Sequence, residues 1–371
     1  MVASAGADVA SLADVLPSCL AAAGNSAFSN VLGVPDAKTV VLFLIDGLGR
    51  ENLRGAGAHA RFLNAQPDHR ILETVFPSTT ASALASLVTG AHPGQHGVTG
   101  YRVWHPGRAE VVNQLNGLTV QDVRGGWLAQ PSLIAPASGG DVLVTVIGHP
   151  RFSDSTLTKL LYGDAPYRGA VTIEEKFTQL ARLLNAGTEG VILVYISDLD
   201  ECAHRLGVQS LQWHALLEDL DAAFATFARS KPSDVVAVVT ADHGVIDVPS
   251  EKHMNFGLGP EMHGVSDVGG EPRCLQVYLD GSVDNADVAA AWAELAGELE
   301  LVVSGQHAAA AWWGGVIGAD VAPRIPDLFV FAPEGGAWYD GREPLAPARN
   351  MIGQHGGISA TERAIPLIVL S

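Results

Sequence analysis

The sequence is short of cysteine and of positive charge. Its three cysteines, Cys19, Cys202 and Cys274, stand far apart among 371 residues. They are odd in number and lack metal-ligand spacing, which excludes a disulfide framework and fits a reducing compartment. Lys and Arg total 22 against 40 Asp and Glu, a formal net charge of −18. That balance argues against a nucleic-acid backbone or an anionic membrane as the main partner. An acidic chain can still hold phosphate where bound cations reverse the local field. A membrane-length apolar run is also missing. The opening MVASAGADVASLADVLPSCLAAAG has no basic segment ahead of an apolar one, and Asp8 and Asp14 interrupt it. It reads as neither signal peptide nor membrane span, so the expected location is the cytoplasm. Nothing in the sequence reports the oligomeric state.

What is present is a series of short, continuous apolar runs. TVVLFLI at 39–45, VLVTVI at 142–147, GVILVYI at 190–196 and DVVAVVT at 234–240 suit strands buried on both faces, as in a parallel sheet. Helical stretches are expected between them, near 80–89, 173–186 and 209–229. The last carries Trp213, Leu216, Leu217, Leu220, Phe224 and Phe227 at helical spacing. Alternating strands and helices imply an α/β fold with a central, mostly parallel sheet. Residues 257–273 read as a long glycine-rich loop. LQVYL, a helix near 285–298, LVVS and PDLFVFA (326–332) follow. This pattern predicts one domain over 1–371 with a small α/β insertion at about 257–345, closed by a final strand in IPLIVLS.

Ligands of open α/β sheets gather beyond the carboxyl ends of the strands. Asp46 ends the first run, Asp198 and Asp200 follow the third, and Asp242-His243 follow the fourth. His355 lies in GQHGG before the last strand. Carboxylate and imidazole are ligand types of zinc and similar divalent ions. Taken singly, each has an ordinary reading. Asp46 before Gly47 can be a turn residue, Asp200 and His204 an i,i+4 surface pair, and His355 a loop histidine. A shared rim weakens all of these together. FPSTTASALASLVTG at 76–90 opens a small-residue helix with three hydroxyls. The first turn of a helix favours a phosphate. Ser78 and Thr79 read as turn and cap.

In order, LIDGLG (44–49), FPSTTASALASLVTGAHPGQHGVTGY (76–101), YISDLDECAH (195–204), TADHG (240–244) and GQHGG (353–357) resemble the alkaline phosphatase superfamily. The resemblance is greatest to its type I phosphodiesterase / nucleotide pyrophosphatase branch. It implies a metal-dependent phosphoric ester hydrolase with two divalent ions, usually zinc, with manganese or iron tolerated, and a threonine nucleophile. The family's spacing to a VTG-like tripeptide selects Thr80 over Thr79. By the same resemblance, Asp46, Thr80, Asp242 and His243 would hold one metal, and Asp200, His204 and His355 the other. Asp198 becomes a neighbour. Ala203 replaces a family Gly, and Ala83 stands about where nucleotide pyrophosphatases carry an Asn that donates to phosphate. Arg102, after the HPGQHG turn, is the candidate phosphate clamp through its forked donors. His96 is expected to shape that turn, and His263 and Arg273 to play structural parts.

The expected substrate is a small phosphate ester or nucleotide, with no nucleic-acid or membrane partner. A phosphomonoesterase or phosphonoacetate hydrolase on the same scaffold is the enzymatic alternative. A non-catalytic metal- or phosphate-binding protein is the alternative of another class.

Overall fold

The computed structural model describes residues 10–134 and 142–371. Residues 1–9 of the opening segment, Asp8 included, lie outside the described residues. Seven strands form the main sheet in the order Asp68–Glu73, Ala364–Val369, Val235–Ala241, Thr39–Ile45, Gly190–Ile196, Val144–Gly148, Tyr167–Gly169. The fold is α/β with a large, mostly parallel sheet, as the alternation of runs and helices implies. Every residue of Thr39–Ile45 and of Gly190–Ile196 is buried, which is why these strands read as unbroken apolar runs. Burying one such Val, Leu, Ile or Phe side chain stabilises the fold by about 1.5–3 kcal/mol.

The flanking helices form where amphipathic stretches meet a capping residue. Leu211–Ser230 starts behind Ser210, whose hydroxyl accepts from the Trp213 N–H at 3.2 Å. Its inner face carries Trp213, Leu217, Leu220, Phe224 and Phe227. Phe224 meets the strand residue Phe43 edge-on at 4.9 Å, and Phe177 of the helix Ile173–Asn185 stacks on Phe43 at 5.4 Å. Among the described residues, no helix is long and apolar enough to cross a membrane.

Register decides where the chemistry collects. Ile45 lies opposite both Ile196 and Ala241 in the parallel pairs. Asp46, Ser197 and Asp242 therefore leave the sheet side by side. The last strand runs antiparallel, with Leu367 opposite Thr240, so the segment that enters it comes from this same edge. Asp68–Glu73 is antiparallel to that strand, with Glu73 opposite Ala364, so residues 74–80 leave at this edge too.

A second sheet of four antiparallel strands has the order Val265–Glu271, Cys274–Leu279, Leu328–Phe331, Val302–Ser304. The helix Asn285–Ala296 covers an apolar cluster that includes Val277, Trp292, Val330 and Trp338. The strand Val265–Glu271 corrects the reading of 257–273 as a loop. Its glycines answer crowding. A Cβ on Gly269 would lie 2.4 Å from the Arg102 carbonyl oxygen, because the hairpin Arg102–His105 and Glu110–Asn113 packs against this strand.

Candidate metal centre

Asp46 is set by two contacts. Its N–H donates to the Ile196 carbonyl at 2.9 Å, and the Tyr195 hydroxyl donates to Oδ2, leaving Oδ1 turned inward. The chain must then turn sharply. Gly47 has φ +73°, and a Cβ there would stand 3.0 Å from Oδ1 of Asp200, so a side chain would press on the neighbouring carboxylate. Asp242 is held in the same manner. Its Oδ1 accepts the N–H groups of Gly47 at 3.1 Å and His243 at 2.9 Å, which leaves Oδ2 free to face the cluster. His243 Nε2 lies 3.4 Å from Asp46 Oδ1, 3.6 Å from Asp242 Oδ2 and 3.3 Å from the Thr80 hydroxyl oxygen.

A second nest adjoins the first. Asp200 and His204 share one face of the helix Asp198–Leu206, with His204 Nε2 at 3.1 Å from Asp200 Oδ2. His355 Nε2 is 4.0 Å from Asp200 Oδ1, and its ring stacks on His243 with centroids 3.8 Å apart. All three imidazoles present Nδ1 to a backbone carbonyl: Gly353 for His204 at 2.7 Å, Gly244 for His243 at 3.3 Å and Ser78 for His355 at 3.0 Å. A carbonyl only accepts, so Nδ1 carries the proton and each Nε2 lone pair points into the cluster.

The donor set fits divalent cations. Asp46 Oδ1, Asp200 Oδ1 and Asp242 Oδ2 are buried without a hydrogen-bond partner, which is costly for a carboxylate. Burial, then the charges of Asp242 and Asp200, push the Asp46 carboxyl well above its usual range. Burial likewise raises Asp242, against the pull of His243. In the second nest, burial of Asp200 is outweighed by His204, and its carboxyl is held low. Burial also lowers His355. An ion bound tetrahedrally at about 2.1 Å sets its ligand atoms roughly 3.4 Å apart. The separations around His243 Nε2, at 3.3, 3.4 and 3.6 Å, match that edge. Two groups of possible ligands lie close together: Asp46, Asp242, His243 and Asp200, His243, His355.

Thr80 is the first residue of the helix Thr80–Thr89, at its open N-terminal end. Thr79 occupies the cap position but makes no side-chain capping bond. Ser78 departs from its reading as a turn or cap hydroxyl. Its Oγ donates to the Gly357 carbonyl at 2.8 Å and accepts the Gly356 N–H at 3.2 Å. It therefore clasps the loop that carries His355. Gly356, at φ +110°, allows this loop to pass Glu271, whose Cβ would lie 2.9 Å from a Cβ at 356. Glu362 braces the loop from behind by accepting the Gly357 N–H at 2.8 Å, and Arg273 holds Glu362 through Nε at 3.1 Å. His96 is buried between the Ser86 hydroxyl at 2.7 Å and the Val98 N–H at 3.0 Å. Asp198 is bound by buried Lys176 at 2.8 Å, and His263 is exposed.

A cavity of about 410 Å³ opens beside Thr80, Asp46, Asp200, His204 and His355. Arg102 does not line it. The side chain is exposed at the start of its strand, where its charge adds a little to the hydrogen bond from Arg342 that chiefly lowers Asp340. The arginine on the wall is Arg151, paired with Glu201 and lying 4.5 Å from the Phe152 ring centre. Ala83 is fully buried off the cavity, and Leu84 lines it instead. Glu271 reaches the wall from the small sheet. Its Oε1 accepts the Tyr101 N–H at 2.7 Å, Oε2 is buried without a partner, and burial pushes its pKa up to about 8. The sequence carries no local signal for Arg151 or Glu271, since neither adjoins a motif.

No curated protein matches the chain. Among solved structures, phosphonoacetate hydrolase from Sinorhizobium meliloti 1021 superposes with a TM-score of 0.70 at 18% identity, covering 91% of each chain. Human ectonucleotide pyrophosphatase / phosphodiesterase 5 gives 0.67 at 16%, covering 89% of this chain and 87% of its own. The murine form in complex with AMP gives 0.63 at 16%, covering 88% and 87%. These likenesses establish the fold. The family model for type I phosphodiesterase / nucleotide pyrophosphatase matches residues 40–358, a span that takes in every clustered carboxylate and imidazole described above. The chain therefore belongs to the type I phosphodiesterase / nucleotide pyrophosphatase family, dinuclear metal-dependent hydrolases that act on phosphoester bonds.

Proposed function

We propose that the chain is a phosphodiesterase of the nucleotide pyrophosphatase type that works through a phosphothreonine on Thr80. Asp46, Thr80, Asp242 and His243 hold one divalent cation in this reading, and Asp200, His204 and His355 hold a second. Zinc suits this donor set, and manganese or iron is tolerated by it. The observation that carries the reading is the position of the Thr80 oxygen, 3.3 Å from His243 Nε2 beside orphaned carboxylate oxygens of Asp46 and Asp242. When bound, the cations supply the charge that lowers the hydroxyl pKa and neutralises oxygens around phosphorus.

The chain's own groups do the rest. The free N–H groups at the start of Thr80–Thr89 orient a phosphoryl oxygen. Thr80 Oγ1 bonds to phosphorus as the ester oxygen leaves with its electron pair and takes up a proton. Water then bonds to phosphorus from the vacated side as the bond to Thr80 Oγ1 breaks, and the proton water gives up returns to that oxygen. Two in-line displacements leave net retention at phosphorus. Solved relatives hold phosphonoformate, phosphonoacetate and AMP, each an organic group on a phosphorus oxyanion, which supports a phosphorus-centred site here.

Thr80→Ala is expected to lower turnover of bis-p-nitrophenyl phosphate by about a thousandfold or more while retaining metal. Acid-quenched wild-type enzyme should carry the p-nitrophenyl phosphoryl group left by the first displacement on the peptide containing Thr80, seen by mass spectrometry. Wild-type turnover in Thr80→Ala would end the covalent reading, and a dead Thr79→Ala with active Thr80→Ala would move the nucleophile by one residue. Parallel assays with p-nitrophenyl phosphate and phosphonoacetate separate the diesterase from the monoesterase and phosphonate readings.

A further inference from the structure

We propose that the organic group of the substrate is uncharged and apolar, an alkyl or aryl group, held in the cavity beside Thr80. This rests on the phosphoryl-transfer reading above and names the class of ester it acts on.

The first observation is the wall. Leu84, Leu115, Phe152, Leu157, Leu161 and Met351 line the cavity together with Thr80 and the clustered carboxylates and imidazoles. They come from separate parts of the chain, so the apolar surface is assembled by the tertiary fold. Leu84 lies one helical turn beyond Thr80, and a side chain at i+4 stands over the same face. Leu84 thus sets a hydrocarbon on the wall one turn from the Thr80 hydroxyl. A cavity of about 410 Å³ falls within the roughly 300–1,000 Å³ that small organic ligands occupy.

The second observation is the supply of cations. Arg151 is the lone Lys or Arg among the described lining residues. Its guanidinium is paired with Glu201, which also accepts the Ser197 hydroxyl at 2.7 Å. Glu271 adds another carboxyl to the wall, and the nearby Arg273 is bound to Glu362 through Nε at 3.1 Å and a terminal nitrogen at 3.2 Å. A second anionic group, such as the outer phosphate of a nucleoside polyphosphate or the carboxylate of phosphonoacetate, would meet no cation on the described wall but Arg151, which Glu201 already engages. An alkyl or aryl group has no such cost and gains from leaving water.

The test is a series of n-alkylphosphonates from ethyl to octyl, each a phosphorus oxyanion with one hydrocarbon tail. Their Kd values are measured by calorimetry on the zinc-loaded protein. Burial worth about 0.8 kcal/mol per methylene corresponds to a three- to fourfold tightening per added carbon until the cavity is full. Met351→Asp should flatten that slope, and the wild-type series decides the matter even if this variant fails to fold. A flat wild-type series overturns the inference, as does tenfold tighter binding of phosphonoacetate or ADP than of butylphosphonate. Because the readout is binding, it is separate from the Thr80 experiments. Loss of Thr80 dependence would sink the covalent reaction and leave the chain-length slope standing.

Discussion

The two halves of the metal centre use the same side-chain types and differ in charge balance. Around His243, the carboxylates of Asp46 and Asp242 face each other across one imidazole, and both side chains are at most 5% exposed. Around Asp200, two imidazoles stand close to one carboxylate, and the His204 side chain is 21% exposed. The inner half raises its carboxyl pKa values, whereas the outer half lowers that of Asp200. The inner half, with two carboxylates against one in the outer half, has the greater need of an external positive charge. This difference predicts that the inner half holds a divalent ion more tightly than the outer half does.

Asp242→Asn gives the largest expected effect. Turnover should fall by about a thousandfold, because Asn keeps the two backbone bonds at Oδ1 and loses the inward charge. Metal-free Asp242→Asn should nevertheless melt higher than metal-free wild type at pH 7–8. The sign follows from linkage. Asp46 and Asp242 are raised in the folded chain, so it binds more protons than the unfolded chain. Their contribution is favourable at low pH and is lost as pH rises from the ordinary carboxylate range through the raised values. The melting gap should therefore close toward pH 4, at roughly 1–2 °C per kcal/mol for a chain of this length. Asp200 has the opposite sign, contributing above the ordinary carboxylate range and losing its contribution as pH falls. A metal-free variant that melts lower than wild type across this range would break the comparison.

Timed exposure to a chelator sharpens it. Metal analysis should show two phases, with the outer half emptied first and turnover lost with that first phase. A single phase, or loss of the inner ion first, contradicts the assignment. His204→Ala should mimic the first phase and keep about one ion per chain. The smallest effect is expected for Ser78→Ala. It frees the loop bearing His355, removes about 1 kcal/mol of stability and lowers turnover by roughly three- to tenfold with weakened outer-half binding. Unchanged turnover would show that the clasp does not position His355.

Legibility in the sequence followed the range of the interaction concerned. Asp46 and Asp242-His243 could be picked out because each ends a run whose burial, complete for Thr39–Ile45 and broken only at Val236 in Val235–Ala241, is written as near-continuous hydrophobicity. Asp200 and His204 stood out through helical spacing. Thr80 needed the family resemblance, since Ser78, Thr79 and Thr80 are alike in local chemistry. The clasp made by Ser78 depends on a partner 279 residues away, which no window of sequence contains. The place of Arg102 after the HPGQHG turn suggests a phosphate clamp, but its strand carries the side chain to the exposed surface. The strand Val265–Glu271 was hidden because its glycines resemble those of a loop while serving close packing.

The reversed direction of the last strand has a further consequence for synthesis. His355 reaches the cluster from a segment just ahead of Ala364–Val369, so a nascent chain holds every other clustered ligand long before this one emerges. While the ribosome still encloses the final strand, the outer half lacks an imidazole and the Ser78 clasp has nothing to grip. The cluster is complete only once Ala364–Val369 lies between Asp68–Glu73 and Val235–Ala241 and draws the His355 segment to the sheet edge.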